Sequence, residues 1–253
     1  MTVLASALSH ADIAEPKIIY SEAKIKDRWH LAPSPVDKAY IPTDEEMARL
    51  LAAPMPARLM RWLLISMLTG CRPGAAVDLT PHQRVRDARI LRLNPPGRAQ
   101  NKKYRADVRE PRALKYFLDR FDGFGLDEFG GRYSGYATVE GVKTALERLR
   151  IHPDVNVPAL SAYSLRQKVT TVLRRAGDRV GEDQIACQLG HKRPHLRTTG
   201  GYGEFDPSYL KNAAHELDKW FFKVRRRAQN IAREHAFSRH SPDKISVRSN
   251  RAA

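Results

Sequence analysis

Hydrophobic residues recur at intervals of three and four positions over most of the chain, which is the spacing that places them on one face of a helix. Thr43 and Glu46 match a capping box at the start of a first helix. Pro56 opens a more apolar helix that runs to Leu68, and Gly70 is predicted to end it in a left-handed conformation. Further along the chain, the pattern predicts helices over residues 112–121, 139–150, 164–175, 182–189 and 207 to about 236.

A short stretch of β-type sequence interrupts the helices. Residues 89–93 and 104–108 carry alternating or β-favouring side chains, and Asn94-Pro95-Pro96-Gly97 begins the connection between them. They predict an antiparallel hairpin with a long basic turn. The predicted fold class is therefore mainly α with a small antiparallel β-sheet, an α+β arrangement.

Three segments of the chain differ in their patterning. Residues 1–40 contain Pro16, Pro33 and Pro35 and show no sustained periodicity, so we interpret them as a linker or a remnant of something upstream. Residues 41–236 hold the periodic segments and are predicted to form the main domain. Residues 237–253 are polar and basic and are predicted to be a disordered tail.

The net charge of the chain limits the classes of function that are plausible for it. The chain has 44 Lys and Arg against 28 Asp and Glu, a formal net charge of +16. Such a surface favours polyanionic partners, and nucleic acid is the leading candidate. Membrane binding is disfavoured, because we find no amphipathic anchor and the apolar run at 62–68 is far shorter than the roughly 20 residues that span a bilayer. The two cysteines make no disulfide framework, which favours the cytoplasm.

Two arginines stand at positions suited to a phosphate. Phosphodiester chemistry without a metal needs cations on the non-bridging oxygens, a nucleophile in line and an acid for the leaving oxygen. Arg72 lies in Thr69-Gly70-Cys71-Arg72, on the turn before a new helix that Pro73 opens. Arg166 lies near the start of another helix, where Tyr163 can share its face. Taken singly, Arg72 is typical of a solvated helix start and Arg166 of a basic helix surface.

The order of the motifs resembles one family. Arg72 is followed after 94 residues by Arg166, after 25 more by His191 in Leu189-Gly190-His191, and after 11 more by Tyr202. This ordered set resembles the catalytic domain of the tyrosine recombinases, the phage-integrase family. The resemblance covers about residues 41–236 and implies the integrase catalytic fold, with residues 1–40 as the remnant of an upstream DNA-clamping domain.

The resemblance also implies roles for individual residues. Tyr202 is the expected nucleophile, forming a 3′-phosphotyrosyl intermediate, while Arg72, Arg166 and His191 hold the scissile phosphate. A lysine of the hairpin turn protonates the leaving oxygen, and Lys102 is the first choice with Lys103 close behind. No cofactor is implied.

Two positions depart from the family pattern. Tyr163 stands where a histidine is usual, and a phenol is not a ready base at neutral pH. Ala75 stands where an acidic residue is common, so support of the first arginine must come from another group.

The implied function is site-specific DNA recombination, for integration or excision of a mobile element, in the nucleoid. The partners implied are double-stranded DNA, a tetramer of this chain on two duplexes and accessory DNA-bending proteins, with a monomer in isolation. The helix from Pro207 carries an apolar stripe that we expect to mediate exchange between subunits. Two alternatives stay open: a type IB topoisomerase-like nicking-closing enzyme, and a noncatalytic DNA-binding protein that retains the fold.

Other chemistries fit the sequence less well. His191 and His195 are four residues apart, but Pro194 breaks the helix that a shared metal would require, so no metal site is predicted. Cys71 is expected to have a lowered pKa beside Arg72, yet it lacks the partners of a thiol nucleophile and is expected to pack in the core.

Overall fold

The computed structural model describes residues 40–100, 104–120, 138–191 and 206–240. These residues are mainly helical and carry one three-stranded antiparallel sheet, so the predicted α+β class is confirmed at that level. The helices are α1 Asp44–Ala52, α2 Ala57–Thr69, α3 Pro73–Val77, α4 Arg112–Arg120, α5 Val139–Arg150, α6 Ala162–Arg175, α7 Glu182–Gln188 and α8 Lys211–His240. Short 3-10 turns at Pro81–Gln83, Gly177–Arg179 and Pro207–Leu210 join some of them. Residues 1–39 of the predicted segment 1–40 lie outside the described residues, as do residues 241–253 of the predicted tail 237–253. Residues 237–240 of that tail are not disordered, because α8 continues through them.

The predicted helix ends follow from their local chemistry. Thr43 accepts a hydrogen bond from the Glu46 N–H, and Glu46 accepts one from the Thr43 N–H, so the capping box forms. Gly70 ends α2 at φ 66°, in the left-handed region that glycine tolerates best. Pro73 occupies the first turn of α3, where its missing N–H costs no hydrogen bond.

The sheet is small and contains one strand that the sequence did not predict. Its strands are β1 Arg84–Val85, β2 Ile90–Arg92 and β3 Asp107–Arg109, in the order β1-β2-β3. Leu91 pairs with Val108 in the predicted hairpin, and both side chains are buried. The extra strand, β1, pairs with β2 and has only two residues, too short for alternation to reveal.

The core forms around α2 and α8. Trp62, Ile65 and Met67 of α2 are almost fully buried, as is Leu217 of α8. α8 lies against α1, α2, α4 and α6. The apolar stripe of this helix faces the core of its own chain, so its burial there explains the stripe. Exchange between subunits through this helix stays a prediction. The stripe residues Leu210, Ala214, Leu217, Phe221 and Val224 are all buried.

A polar anchor fixes α8 against α4. Asp218 of α8 is buried, and its carboxylate accepts hydrogen bonds from the backbone N–H groups of Arg112 and Ala113, at 2.8 and 2.9 Å. These N–H groups open α4 and have no partner within it. The carboxylate therefore caps a helix from more than a hundred residues away in sequence.

Candidate anion site

Arg72 lies at the N-terminal cap of α3, on the turn that follows α2. The turn packs so closely on α6 that a Cβ added at Gly70 would lie only 2.7 Å from Val169 Cγ1. The Arg72 side chain is half-buried, and its Nη1 donates to the Tyr104 carbonyl at 2.6 Å. The arginine is thereby held against the chain just before β3, instead of extending into solvent as a helix-start arginine usually does.

Arg166 is the most enclosed cation of the site, with 6 % of its surface exposed. Its Nη1 donates to the Gly70 carbonyl at 2.8 Å, and its Nη2 donates to the Leu189 carbonyl. Burial and then the charge of Arg72 lower the pKa of Arg166 to about 10. The guanidinium is still charged at neutral pH, and it bridges the turn before Arg72 and the end of α7.

His191 follows α7 and contacts Arg166. Its Nε2 lies 3.2 Å from Arg166 Nη2, so Nε2 of a neutral ring accepts and the ring proton is on Nδ1. Partial burial and then the positive charges of Arg166 and Arg72 lower the pKa of His191. Gly190 permits this approach, since it has φ 66° and a Cβ there would lie 2.9 Å from the Tyr104 carbonyl oxygen.

The three side chains converge although they are distant in sequence. Arg72 and Arg166 line one small cavity of about 10 Å³, and Arg166 and His191 line a neighbouring groove of about 350 Å³ between α6 and α7. Within the described part of the chain, neither arginine has an ion pair with a carboxylate. Two like charges that repel each other and are held by carbonyls form a site that an anion would stabilise.

The remaining predicted site residues have different outcomes. Tyr163 lines the same groove as Arg166, and 59 % of its surface is exposed, so the two share a site while the phenol stays in solvent. Ala75 is buried and packs in the core. Lys102, Lys103 and Tyr202 lie outside the described residues. The structure thus brings together Arg72, Arg166 and His191, with Tyr163 on the rim.

The sequence did not predict the contacts of Gln100 and Arg105, which lie on either side of Lys102 and Lys103. The Gln100 side chain donates to the Arg105 carbonyl at 2.8 Å and accepts from the Arg105 N–H at 3.1 Å. Arg105 in turn forms an ion pair with Asp78, which ends α3, at 2.6 Å. No spacing rule in the sequence could connect Asp78 with Arg105, because the pair forms only when the sheet packs beside α3.

One expectation about the site is wrong. Cys71 is buried, and burial raises the pKa of its thiol despite hydrogen bonding and the nearby charges of Arg166 and Arg105. Desolvation outweighs the cations because the thiolate would have no water around it. The expectation that Cys71 packs in the core is confirmed.

The described residues contain no cluster of three or more histidine, cysteine, aspartate or glutamate side chains arranged to hold a metal ion. His195 lies outside them. None of the described helices combines the length and the apolar character needed to cross a bilayer.

No protein-family model matches the sequence, and no curated protein is significantly similar to it.

Proposed function

We propose that this protein cleaves and rejoins DNA strands as a tyrosine recombinase, with the integrase-type catalytic fold and Tyr202 as the nucleophile. The observation that carries the proposal is the convergence of Arg72, Arg166 and His191 on one site without a carboxylate partner in the described residues. The order of the motifs and the net charge of +16 support it further. Double-stranded DNA is the substrate, and a tetramer of this chain on two duplexes is the assembly that recombination requires.

Each residue has a defined part in the proposed reaction. The two guanidinium groups donate to the non-bridging oxygens of one phosphate and stabilise the charge that develops there. The Tyr202 phenol gives its proton to a water molecule as its oxygen bonds to phosphorus, and the bond from phosphorus to the 5′ oxygen breaks. A lysine of the hairpin turn, Lys102 or Lys103, gives its proton to that oxygen. Attack by a 5′ hydroxyl then reverses these steps and releases the tyrosine.

His191 enters this scheme in a specific protonation state. In the free protein its Nε2 accepts from Arg166, so it cannot donate to a phosphate through that nitrogen. It becomes a donor there once a proton moves to Nε2, which the negative charge of a bound phosphate favours. Loading the site therefore exchanges the Arg166–His191 hydrogen bond for two bonds to the phosphate.

The first prediction tests covalent chemistry directly. Duplexes with a randomised central region and a nick are incubated with the protein, and denaturing gels recover any DNA bound covalently through a 3′ phosphate. The nick lets the cleaved fragment diffuse away, so the adduct accumulates. We expect an adduct with the wild type and none with Tyr202→Phe, while Tyr209→Phe, at an exposed tyrosine seven residues later, forms it at the wild-type rate.

Other outcomes would contradict the proposal. Equal adduct levels with the wild type and Tyr202→Phe, or no adduct although DNA is bound, would favour a noncatalytic DNA-binding protein. Relaxation of supercoiled plasmid by the monomer, with no recombinants from paired sites, would favour the topoisomerase-like alternative.

A further inference from the structure

Gln188 is a buried polar residue at a position where an apolar one would pack. It ends α7, only 1 % of its surface is exposed, and Ile185 and Leu189 beside it are also buried. Its Nε2 donates to the Thr69 carbonyl at 2.8 Å, whereas its Oε1 has no hydrogen-bond partner among the described residues. A half-satisfied buried amide is costly, so packing does not explain it. The bond to Thr69 is the contact that a leucine or methionine could not make.

That bond reaches the turn that carries Arg72. Thr69 is the last residue of α2, and the carbonyls at a helix end have no partner within the helix. The Thr69 carbonyl accepts from Gln188, and the next carbonyl, of Gly70, accepts from Arg166. The Arg72 turn is therefore tied to both α7 and α6 by side chains.

Gln188 also borders the anion site itself. It lines the small cavity that Arg72 and Arg166 share, and it precedes His191 by three residues. Loss of the hydrogen bond between Gln188 and Thr69 would therefore change the distance between the Arg72 turn and His191. Arg166 has hydrogen bonds of its own to the Gly70 and Leu189 carbonyls.

We propose that Gln188 is a positioning residue that sets Arg72 relative to His191 for contact with one DNA phosphate. This inference rests on the proposed function. Without the amide, the turn keeps its bond to α6 and loses its bond to α7. Arg72 then samples positions displaced from the phosphate, and a misplacement of about 1 Å can lower a rate roughly 100-fold.

The test uses the full chain and a matched pair of variants. Gln188→Met removes the hydrogen bond at nearly constant volume, and Gln184→Met makes the same change one turn earlier on α7, where the Gln184 Oε1 is likewise unpartnered. On a duplex recovered as an adduct from the randomised pool, we expect Gln188→Met to slow single-turnover adduct formation roughly 10- to 100-fold. Overall DNA affinity is expected to stay within about twofold, because contacts to many phosphates along the duplex dominate it. Gln184→Met is expected to match the wild type. Equal rates for Gln188→Met and the wild type, or equal losses in both variants, would overturn the inference.

A double-mutant cycle separates positioning from a general loss of stability. If Gln188 acts through Arg72, adding Gln188→Met to Arg72→Ala causes no further loss of rate, because the positioned group is already absent. Independent, multiplicative losses would show that Gln188 acts elsewhere. Rates are measured below the unfolding midpoint of every variant, and Gln188→Asn, whose amide is one methylene shorter, repeats the test with a polar side chain.

A binding measurement distinguishes failure of this inference from failure of the proposed function. Sulfate is expected to raise the unfolding temperature of the wild type more than that of Arg72→Ala at matched ionic strength. The rise in Arg72→Ala measures the general effect of the salt, so the difference between the two proteins, the sulfate increment, measures binding at the site. Gln188→Met is expected to lose part of this increment. If no DNA forms an adduct, the proposed function fails while the sulfate increment still tests Gln188. An increment equal to that of the wild type would overturn the role of Gln188.

Discussion

Two buried cations on α6, Arg166 and Lys168, are two residues apart and have opposite environments. Lys168 is 3 % exposed, and its Nζ forms an ion pair with Asp44 at 2.8 Å and lies 6.0 Å from the centre of the Trp220 ring. Arg166 bonds to two carbonyls and a histidine and is repelled by Arg72. The first environment neutralises its cation, and the second contains no carboxylate in the part of the chain that the structure describes.

The difference separates Lys168, a basic residue that serves the fold, from Arg166, which the proposed function assigns to a phosphate. Asp44 also accepts from the Trp220 indole and from Lys223, so the carboxylate joins α1, α6 and α8. A buried lysine is rare unless it is paired, and here the pairing is complete. At the other site the described residues supply no carboxylate, and under the proposed function a DNA phosphate would supply the negative charge. The net charge of the chain would not distinguish the environment of Arg166 from that of Lys168.

Mutation of the two cations is expected to change the rate of adduct formation very differently. Arg166→Ala is expected to lower the rate of adduct formation at least about 100-fold, because a group that stabilises the transition-state charge is lost. Lys168→Met is expected to leave the rate per folded molecule within about twofold, while it lowers the free energy of unfolding by about 1–2 kcal/mol. Single-turnover cleavage and chemical unfolding measure the two quantities. Comparable loss of rate in both variants would remove the distinction between them.

A smaller effect is expected from the carboxylate that neutralises Lys168. Asp44→Asn leaves the Lys168 ammonium buried without a counter-ion, and we expect it to lower the free energy of unfolding by about 2–4 kcal/mol. The partly exposed Asp44 side chain places the value toward the lower end. Urea unfolding measures the loss, with Glu140→Gln as the control, since Glu140 pairs with Lys143 on the surface. Equal losses in both variants would mean that burial of the pair has no energetic consequence.

The smallest effect is the pH dependence of the same contact. Burial alone would raise the pKa of Asp44, but hydrogen bonds from Lys168, Lys223 and Trp220 outweigh it and hold the pKa well below its usual range. A carboxyl whose pKa is depressed by folding stabilises the protein above its unfolded pKa, near 3.9, and loses that contribution as the pH falls toward the folded value. The difference in stability between the wild type and Asp44→Asn is therefore expected to be constant near neutrality and to shrink below about pH 4. A difference that grows on acidification would contradict the assignment.

The helices were predictable because their signals are local. The Thr43–Glu46 capping box, the Gly70 cap and the Pro73 helix start all form as expected. The two-residue strand β1 was not predictable, since its partner β2 supplies the stability that its own sequence lacks. The stripe on α8 was correctly identified as apolar, but periodicity does not say whether such a stripe faces its own core or another chain.

For the site, the motif order indicated Arg72, Arg166 and His191 but not what holds them. Gln188, Gln100 and Asp78 gave no signal, because their contacts join segments that are distant in sequence. The resemblance to the recombinases stays a prediction, as do the roles of Tyr202 and the turn lysines. The wrong expectation for Cys71 came from counting neighbouring charges without knowing the extent of burial.

The helix ends and the residue types that could serve a phosphate can be inferred from the sequence alone, because capping, periodicity and side-chain chemistry act within a few residues. The packing of the chain was needed to show that the buried Lys168 is neutralised by Asp44, while Arg72 and Arg166 line one cavity without a carboxylate partner in the described residues. The physical reason is that the energy of a charge depends on its solvent exposure and on the charges around it, and both are set by the packing of segments far apart in the chain.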